Sequence, residues 1–586
     1  MERQCVKMSL FILLSALFLA CQEKSPTPPN ILIILVDDMG VGDASFARNP
    51  YLSTPTLDSL AAHSVAFKEF YVSSVCAPTR ASLLTGRYHQ RTGVQSVTNG
   101  YEVLHPSEIT LAERLKEQGY QTGIFGKWHL GEYYPSIPMG QGFDTFVGFR
   151  TGHTNVYDDP ILEKDGKPYA TSGYICDVLT QEALSFMSKP SEAPFFCYLA
   201  HNLPHTPLIV ADRYVQPFRQ LGLDEKVARL YGMMTKLDES LSTLFHQMRE
   251  RGLLENTAIL FLSDNGPISG WKVPQEKMRY NAGLRDQKFT TYEGGIRTHA
   301  FWTFGGHWPH RRVDDTFGAH IDVVPTLLEL IRAPAPDNVD GISLLSILEG
   351  KDVEEDLKER SFFQHFSHKS LRNPQQQPGG IMRSGPWKMV NGQELYRLDQ
   401  DVGEAQNLAD SHPEKLANMS AEYASWWADV TKEDLLQPRP VPVGFAEQNP
   451  VEIACHPARA YGSLKFTGWR GLEKERIGTH PTGVDGDWVE GWVSVQDSLV
   501  WEVEARSGKY QIGLMMAGEG KGKLVLELGE RKFSQDIKLT EKEWVHVEVG
   551  ELLQHELGIL TARLYMEDVT GNLKVNHLVW EKEFSE

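Results

Sequence analysis

The chain has 586 residues, 41% of them hydrophobic and 10% aromatic, which is ample for a buried core and unlike a disordered, collagen-like or coiled-coil sequence. Its 58 basic and 77 acidic residues give a net charge of −19. No broad basic surface is implied, which argues against nucleic-acid binding through phosphates; an anionic small substrate would need a local cationic pocket. Six cysteines are too few for a disulfide scaffold.

Arg3 and Lys7 precede an apolar run from Met8 to Ala20. The run is too short to span a bilayer and has the layout of a signal peptide over residues 1–20. It ends in Leu17-Phe18-Leu19-Ala20-Cys21, which resembles a bacterial lipobox. Lipidation at Cys21 is expected, with residues 21–29 as a flexible tether. The protein is therefore expected to be exported and held by a lipid anchor in the bacterial cell envelope, in the periplasm or at the outer-membrane surface.

From Asn30 onward, apolar runs alternate with helical stretches. Ile31 to Val36 is continuous and suits a strand buried on both faces of a parallel sheet; Gln121 to Gly126, Phe195 to Ala200 and Thr257 to Ser263 repeat the pattern. Thr110-Leu111-Ala112-Glu113 reads as a capping box, with Gly119 closing its helix. A long helix is expected from about Val227 to Arg251. The alternation predicts an α/β catalytic domain over 30–375 with a mostly parallel central sheet flanked by helices. Each run ends in polar residues: Asp37-Asp38, Lys127-Trp128-His129, His201 to His205, and Asp264-Asn265-Gly266. Sites of such sheets lie at the carboxyl ends of the strands, so these four stretches converge on one edge.

Over 376–436 the pattern shifts to short strands at Trp387–Val390 and Glu394–Leu398 and a helix from Pro413 to Thr431, a smaller α+β lobe. Residues 437–450 read as a proline-rich, extended linker. Residues 451–586 read as a β-sandwich-like accessory module. Its tryptophans, Trp469, Trp488 and Trp492, leave two readings open: a carbohydrate-binding module or a packing domain.

The chemistry is concentrated at Cys76-Ala77-Pro78-Thr79-Arg80-Ala81-Ser82-Leu83-Leu84-Thr85-Gly86. This stretch resembles the signature of the type I, formylglycine-dependent sulfatases of the alkaline phosphatase superfamily. Further family motifs stand in the right order: Asp37-Asp38 upstream, then Gly126-Lys127-Trp128-His129, Pro204-His205-Thr206-Pro207, Ser263-Asp264-Asn265-Gly266, and Lys288 to Arg297 downstream. The resemblance covers roughly Asn30 to Leu408. It implies that Cys76 is oxidised to formylglycine by a formylglycine-generating or anaerobic maturation enzyme. It also implies that one Ca²⁺ is held by Asp37, Asp38, Asp264 and Asn265 together with position 76.

Carboxylate and amide oxygens suit a hard cation such as Ca²⁺ or Mg²⁺ better than zinc. A hydrated aldehyde also solves a chemical problem: one hydroxyl attacks sulfur, and the other loses its proton to expel sulfate and restore the aldehyde, so one difficult step becomes two. By motif position, Lys127 and Lys288 bind sulfate oxygens, and Lys288 or His205 protonates the leaving alcohol. His129 is the base in the elimination, a role that suits an imidazole. Pro78 is expected to start a helix whose N-terminus faces the anion, with Arg80 pointing back at the nucleophile. Where many family members have glycine, this chain has Phe289, which would reshape the rim near the leaving group.

Arg150, His153, Asn155, His201 and the Trp271-Lys272 loop are candidate substrate contacts. Cys176, Cys197 and Cys455 read as buried thiols, with a disulfide between the first two left open. The expected activity is hydrolysis of sulfate esters on a sulfated carbohydrate, a polysaccharide-derived oligosaccharide such as one from algal ulvan. Two alternatives stand beside it: a phosphonate or phosphate monoester hydrolase of the same superfamily, and a catalytically dead glycan-binding surface lipoprotein.

Overall fold

The computed structural model describes residues 28–98, 100–268, 279–334, 336–353, 355–366, 379–433, 435–467 and 488–584. The signal peptide, Cys21 with most of the tether, Trp271-Lys272 and Trp469 lie outside the described residues. Eleven strands form the central sheet: β1 (Asn30–Val36), β2 (Val65–Tyr71), β3 (Gln121–Lys127), β4 (Thr145–Phe149), β5 (Ile161–Lys164), β6 (Lys167–Ala170), β7 (Phe195–Ala200), β8 (Thr257–Ser263), β9 (Arg297–Phe304), β10 (Arg311–Val313) and β11 (Gly318–Ala319). Their order is β10-β2-β9-β8-β1-β7-β3-β4-β5-β6, with β11 also beside β2. The middle five, β8-β1-β7-β3-β4, are parallel, and β9 runs antiparallel to both β8 and β2.

The apolar runs explain this placement. In β1, Ile31, Ile33 and Leu35 enter the core on one face, and Leu32, Ile34 and Val36 enter the core on the other. Each fully buried aliphatic side chain of this kind contributes about 1.5–3 kcal/mol. Helices α1 (Cys76–Thr85) and α2 (Leu111–Glu117) cover the first face; α3 (Ile175–Met187) and α4 (Glu225–Glu250) cover the second. The capping box of α2 is present: Thr110 Oγ1 accepts from the Glu113 N–H at 3.2 Å, and Glu113 Oε2 accepts from the Thr110 N–H at 2.8 Å. Gly119 follows with φ +84°. α1 begins at Cys76 itself, two residues before the proline expected to start it.

The smaller lobe is a four-stranded antiparallel sheet, β12 (Ser361–His365), β13 (Gly380–Ser384), β14 (Trp387–Val390) and β15 (Glu394–Arg397), with helix α5 (Pro413–Val430). Its first strand precedes the boundary expected at 376. A shared core of Tyr71, Ile296 and Phe317 from the central domain with Phe362, Met389 and Tyr423 from the lobe joins the two.

The C-terminal strands are β16 (Val441–Val443), β17 (Val451–Ala454), β18 (Arg459–Tyr461), β19 (Lys465–Thr467), β20 (Trp488–Glu490), β21 (Ser498–Ala505), β22 (Gly508–Leu528), β23 (Arg531–Gln554) and β24 (Gly558–Glu583). They form one nine-stranded hydrogen-bonded sheet around its own core. The expected linker is corrected in part, because Val441–Val443 pairs in parallel with Val503–Ala505 as a strand of this module. Pro442 is tolerated there because β16 lies at the sheet edge, where a missing N–H breaks no ladder. Among the described residues no helix is long and apolar enough to cross a membrane.

Candidate active site

The sheet register brings the polar strand ends together. Val36 lies opposite Ser263, so Asp37-Asp38 and Asp264-Asn265 leave neighbouring strands side by side. Gly126 lies opposite Ala200, which sets Lys127 beside the β7 end. Gly126 has φ +119°, and a Cβ there would lie 2.0 Å from the Ala200 carbonyl oxygen, so glycine is needed for this approach. Cys76 enters from the first position of α1. The structure therefore gathers Asp37, Asp38, Cys76, Arg80, Lys127, His129, His205, Asp264, Asn265 and Lys288, all buried except half-buried His205.

Ion pairs organise the floor. Lys127 Nζ is 2.7 Å from Asp37 Oδ2, and Lys288 Nζ is 2.5 Å from Asp38 Oδ1 and 3.9 Å from Cys76 Sγ. The Arg80 guanidinium donates to Asp264 Oδ2 from Nη2 at 2.8 Å and from Nε at 3.2 Å, and to the Lys127 carbonyl at 2.8 Å. Arg80 thus fixes Asp264 and the end of β3 rather than reaching back to the sulfur. Asn265 Nδ2 donates to Asp38 Oδ1 at 2.7 Å, which leaves its amide oxygen available.

The donor chemistry fits a hard cation. Asp37 Oδ1, Asp38 Oδ2 and Asn265 Oδ1 are buried without a hydrogen-bond partner. Ligand atoms of Asp37, Cys76 and Asp264 lie within 4.8 Å of one another, as do those of Asp37, Asp38 and His205. Burial and repulsion from Asp37, opposed by Arg80, push the Asp264 carboxyl up to about 6. Burial acts the same way on Asp38, but Lys288 and His205 outweigh it and hold that carboxyl well below the usual range. Three crowded carboxylates, two of them and the Asn265 amide with an unpaired oxygen, are a site that a divalent ion would neutralise.

His129 has a defined tautomer. Its Nε2–H donates to the Val97 carbonyl at 2.9 Å, so Nδ1 is an acceptor, and it lies 3.3 Å from Cys76 Sγ. Gly152 permits this placement, since a Cβ there would lie 2.5 Å from His129 Nε2. Burial, reinforced by Lys127, lowers the His129 imidazole well below its usual value, so it is neutral. His205 hydrogen-bonds the Thr206 carbonyl through Nδ1 at 2.6 Å and turns Nε2 to Asp38 Oδ2 at 3.8 Å. Burial lowers it to about 4 against the pull of Asp38. Burial raises the Cys76 thiol against Lys127 and Lys288, so the unmodified side chain is not an activated thiolate.

Three non-glycine residues here have left-handed backbones: Asp38 (φ +67°), His129 (φ +60°) and Phe289 (φ +72°). Such conformations cost about 1–2 kcal/mol per residue and collect at functional sites. At Phe289 the backbone adopts a conformation that glycine would take without strain. The phenyl ring lines a cleft of about 540 Å³ that also holds Cys76, His129, His205 and Lys288.

The candidate substrate contacts divide. His153 and Asn155 line the cleft, and His153 stacks on His205 with ring centroids 6.3 Å apart. Arg150 borders the cleft, but its guanidinium is taken by Glu163 (2.5 Å and 3.1 Å) and the Glu132 carbonyl (2.8 Å), so it holds β5 against the loop instead of facing substrate. His201 is corrected outright: it is fully buried away from the cleft, and burial lowers it to about 3. Cys176, Cys197 and Cys455 are buried thiols in no disulfide. Sequence reasoning missed three groups of the cleft wall, Glu102, Glu132 and His456. Glu132 follows His129 by three residues, a usable signal; His456 had none.

A parallel sheet with carboxylates, an amide oxygen and a helix-borne cysteine at its carboxyl edge fits the alkaline phosphatase superfamily. A sequence profile described as Sulfatase matches residues 29–333, and one described as N-sulphoglucosamine sulphohydrolase, C-terminal, matches residues 281–425. The chain belongs to the sulfatase family and is a sulfuric ester hydrolase. It is 31% identical over 426 residues to the N-acetylgalactosamine-6-sulfatase of Sus scrofa, covering 66% of this chain and 77% of that one. It is 30% identical over 396 residues to the uncharacterized sulfatase YdeN of Escherichia coli (strain K12), covering 58% and 69%. Among solved structures, Ps i-CgsB in complex with k-i-k-neocarrahexaose superposes with a TM-score of 0.63 at 28% identity, over 69% of this chain and 94% of that one.

Proposed function

We propose that the chain removes sulfate from a sulfated carbohydrate, an oligosaccharide released from a polysaccharide, using formylglycine made from Cys76 and one Ca²⁺. The observation that carries this reading is the convergence of Asp37, Asp38, Asp264 and Asn265 on buried Cys76, with acceptor Nδ1 of His129 beside it. The named activities of its relatives support a sugar as the sulfate carrier: N-acetylgalactosamine-6-sulfatases on one side, a neocarrahexaose complex on the other.

Asp37, Asp38, Asp264 and Asn265 would hold the ion with side chain 76; bound there, it would polarise the sulfate. Formylglycine at position 76 would supply, as its hydrate, a hydroxyl nucleophile for the sulfur. Lys127 and Lys288 bind sulfate oxygens. Lys288 or His205 gives a proton to the departing alcohol oxygen; His205, whose Nδ1–H is held by the Thr206 carbonyl, does so only in its protonated form. His129 takes, at Nδ1, the hydroxyl proton whose loss releases sulfate. Arg80 is a positioning residue that keeps Asp264 and the Lys127 main chain in place.

The test is a panel of defined sulfated oligosaccharides, ulvan-derived ones included, with products read by mass spectrometry. Matching phosphate esters run in parallel. Active protein should carry formylglycine in the Cys76 peptide, and Cys76→Ala should fold but not turn over. Turnover in Cys76→Ala, or faster phosphate than sulfate ester hydrolysis, refutes the reading. After chelation, Ca²⁺ at a hundred times its Kd should restore about 2.7 kcal/mol of stability, a readout independent of turnover.

The same reading includes export and a lipid anchor at Cys21, carried by the Leu17–Cys21 lipobox pattern, and a maturation enzyme as transient partner. Labelling of the mature protein by a radioactive fatty acid, lost in Cys21→Ala, checks the anchor.

A further inference from the structure

One wall of the cleft comes from the C-terminal module. β17 (Val451–Ala454) is paired with β24 from Val451–Trp580 to Ala454–His577. The turn after it is pinned: Trp501 Nε1 donates to the Ala454 carbonyl at 2.9 Å, and the Ala458 N–H to the Cys455 carbonyl at 2.9 Å. His456 lies in that turn and lines the same cleft as Cys76 and Lys288. Its Nε2 donates to Glu132 Oε1 at 2.9 Å.

The contact is supported from the catalytic side as well. Next to Glu132, Tyr133 is buried in the module's own core, and its hydroxyl accepts from the Ala454 N–H at 3.0 Å. Tyr134 packs against Phe445, ring centroids 5.0 Å apart, and its N–H donates to Gln448 Oε1 at 2.7 Å. Glu102 also lines the cleft, and its Oε2 is buried without a hydrogen-bond partner among the described residues.

Charge decides what this wall accepts. Outside the sulfate-binding floor, the charged side chains lining the cleft among the described residues are Glu102, Glu132 and Arg150, and the Arg150 guanidinium is occupied by Glu163 and the Glu132 carbonyl. A carboxylate or second sulfate on the substrate's ring would face the Glu132 carboxylate, of its own sign, and the oxygens of Glu102. Hydroxyls would find hydrogen-bond partners, and the Phe289 ring offers an apolar surface to a sugar face.

We propose that the C-terminal module completes the leaving-group subsite, with His456 held by Glu132 as a specificity-determining residue for a neutral, hydroxyl-rich sugar ring. This rests on the sulfate-ester reading above for the position of the leaving group. Deleting the module would uncover Tyr133, so point variants of the full chain are the proper test.

Wild type, His456→Ala, His456→Gln and Glu132→Gln are assayed with 4-nitrophenyl sulfate and with the 6-sulfates of galactose, glucose and N-acetylgalactosamine; a 2-sulfated glucuronic acid serves as the acidic ring. Binding of the same sugars is measured by calorimetry. The expected result is a preference of tenfold or more for at least one neutral sugar over the acidic one. His456→Ala and Glu132→Gln should raise KM or Kd for that sugar about tenfold, the size of one lost hydrogen bond. His456→Gln should recover part of the loss, and 4-nitrophenyl sulfate turnover should stay within twofold. Equal losses on both substrates, no loss, or no binding of any neutral sugar overturns the proposal. Absence of turnover on every ester by matured wild type refutes the sulfatase chemistry instead, and the calorimetry then still decides the role of His456.

Discussion

Lys388 is the ion on which the join between the smaller lobe and the catalytic domain turns, and Lys388→Met tests that join. Its Nζ is 2.9 Å from Glu293 Oε1, in a hydrogen-bonded pair, and 2.8 Å from Glu404 Oε1, in a charge contact outside hydrogen-bond alignment. All three side chains are fully buried. Glu293 leads out of the Lys288 loop, and Glu404 Oε2 accepts the Glu293 N–H at 2.7 Å. Methionine fills similar volume but leaves two buried carboxylates without the ammonium between them; among the described residues only Arg297, 3.5 Å from Glu293, remains in ion-pair range. Breaking a buried pair in this way costs about 3–5 kcal/mol. That corresponds to a Tm loss of order 10 °C. Burial already raises Glu404 against the pull of Lys388; Glu293 is held below its usual value, because Lys388 and Arg297 outweigh its burial, and without Lys388 both carboxyls move up. A carboxyl raised above its unfolded value costs stability as pH climbs through that interval, so the deficit should be greatest at neutral pH and shrink toward pH 4.5. Urea unfolding at pH 7.5 and pH 4.5 measures it. A loss below about 1 kcal/mol, or one that does not change with pH, would refute the reasoning.

Two further outcomes follow from the site. His129→Ala should lower kcat about 10²–10⁴-fold, with a burst of alcohol ahead of slow sulfate release; alcohol and sulfate appearing together at the wild-type rate would remove His129 from the elimination. Glu102 is pushed up to about 7 by burial, with Glu132 adding to the rise. Its buried charge therefore destabilises the fold as pH rises from 4.5 through 7 and is without cost below that window. Glu102→Gln should be more stable than wild type by on the order of 3 kcal/mol at pH 8 and equal at pH 4; a difference independent of pH would show that Glu102 is not buried as a charge.

Local signals carried most of the catalytic domain. The β1 run is apolar without alternation because both sheet faces are covered, and the Thr110 box is a contact over three residues. The Cys76 motif and the strand ends were legible for the same reason, since a parallel sheet collects its carboxyl ends on one edge. The misreadings came from long-range partners. Arg150 looked available until Glu163, on another strand, took its guanidinium. His201 and His205 leave the same strand, but only the second turns toward Asp38. Pro442 looked like a linker residue because composition does not show that its neighbours pair with β21. Glu132 and His456 stand 324 residues apart, beyond the reach of any motif.

The short segment from His129 to Tyr134 binds two parts of the molecule that composition alone would separate. One end presents an imidazole to position 76, and the other is sunk in the hydrophobic interior of the last 140 or so residues. Trimming the gene to the stretch shared with its relatives would thus strip a tyrosine of its cover four positions from His129. Chimeras that exchange tails between enzymes of this group should be planned with that segment travelling alongside the tail.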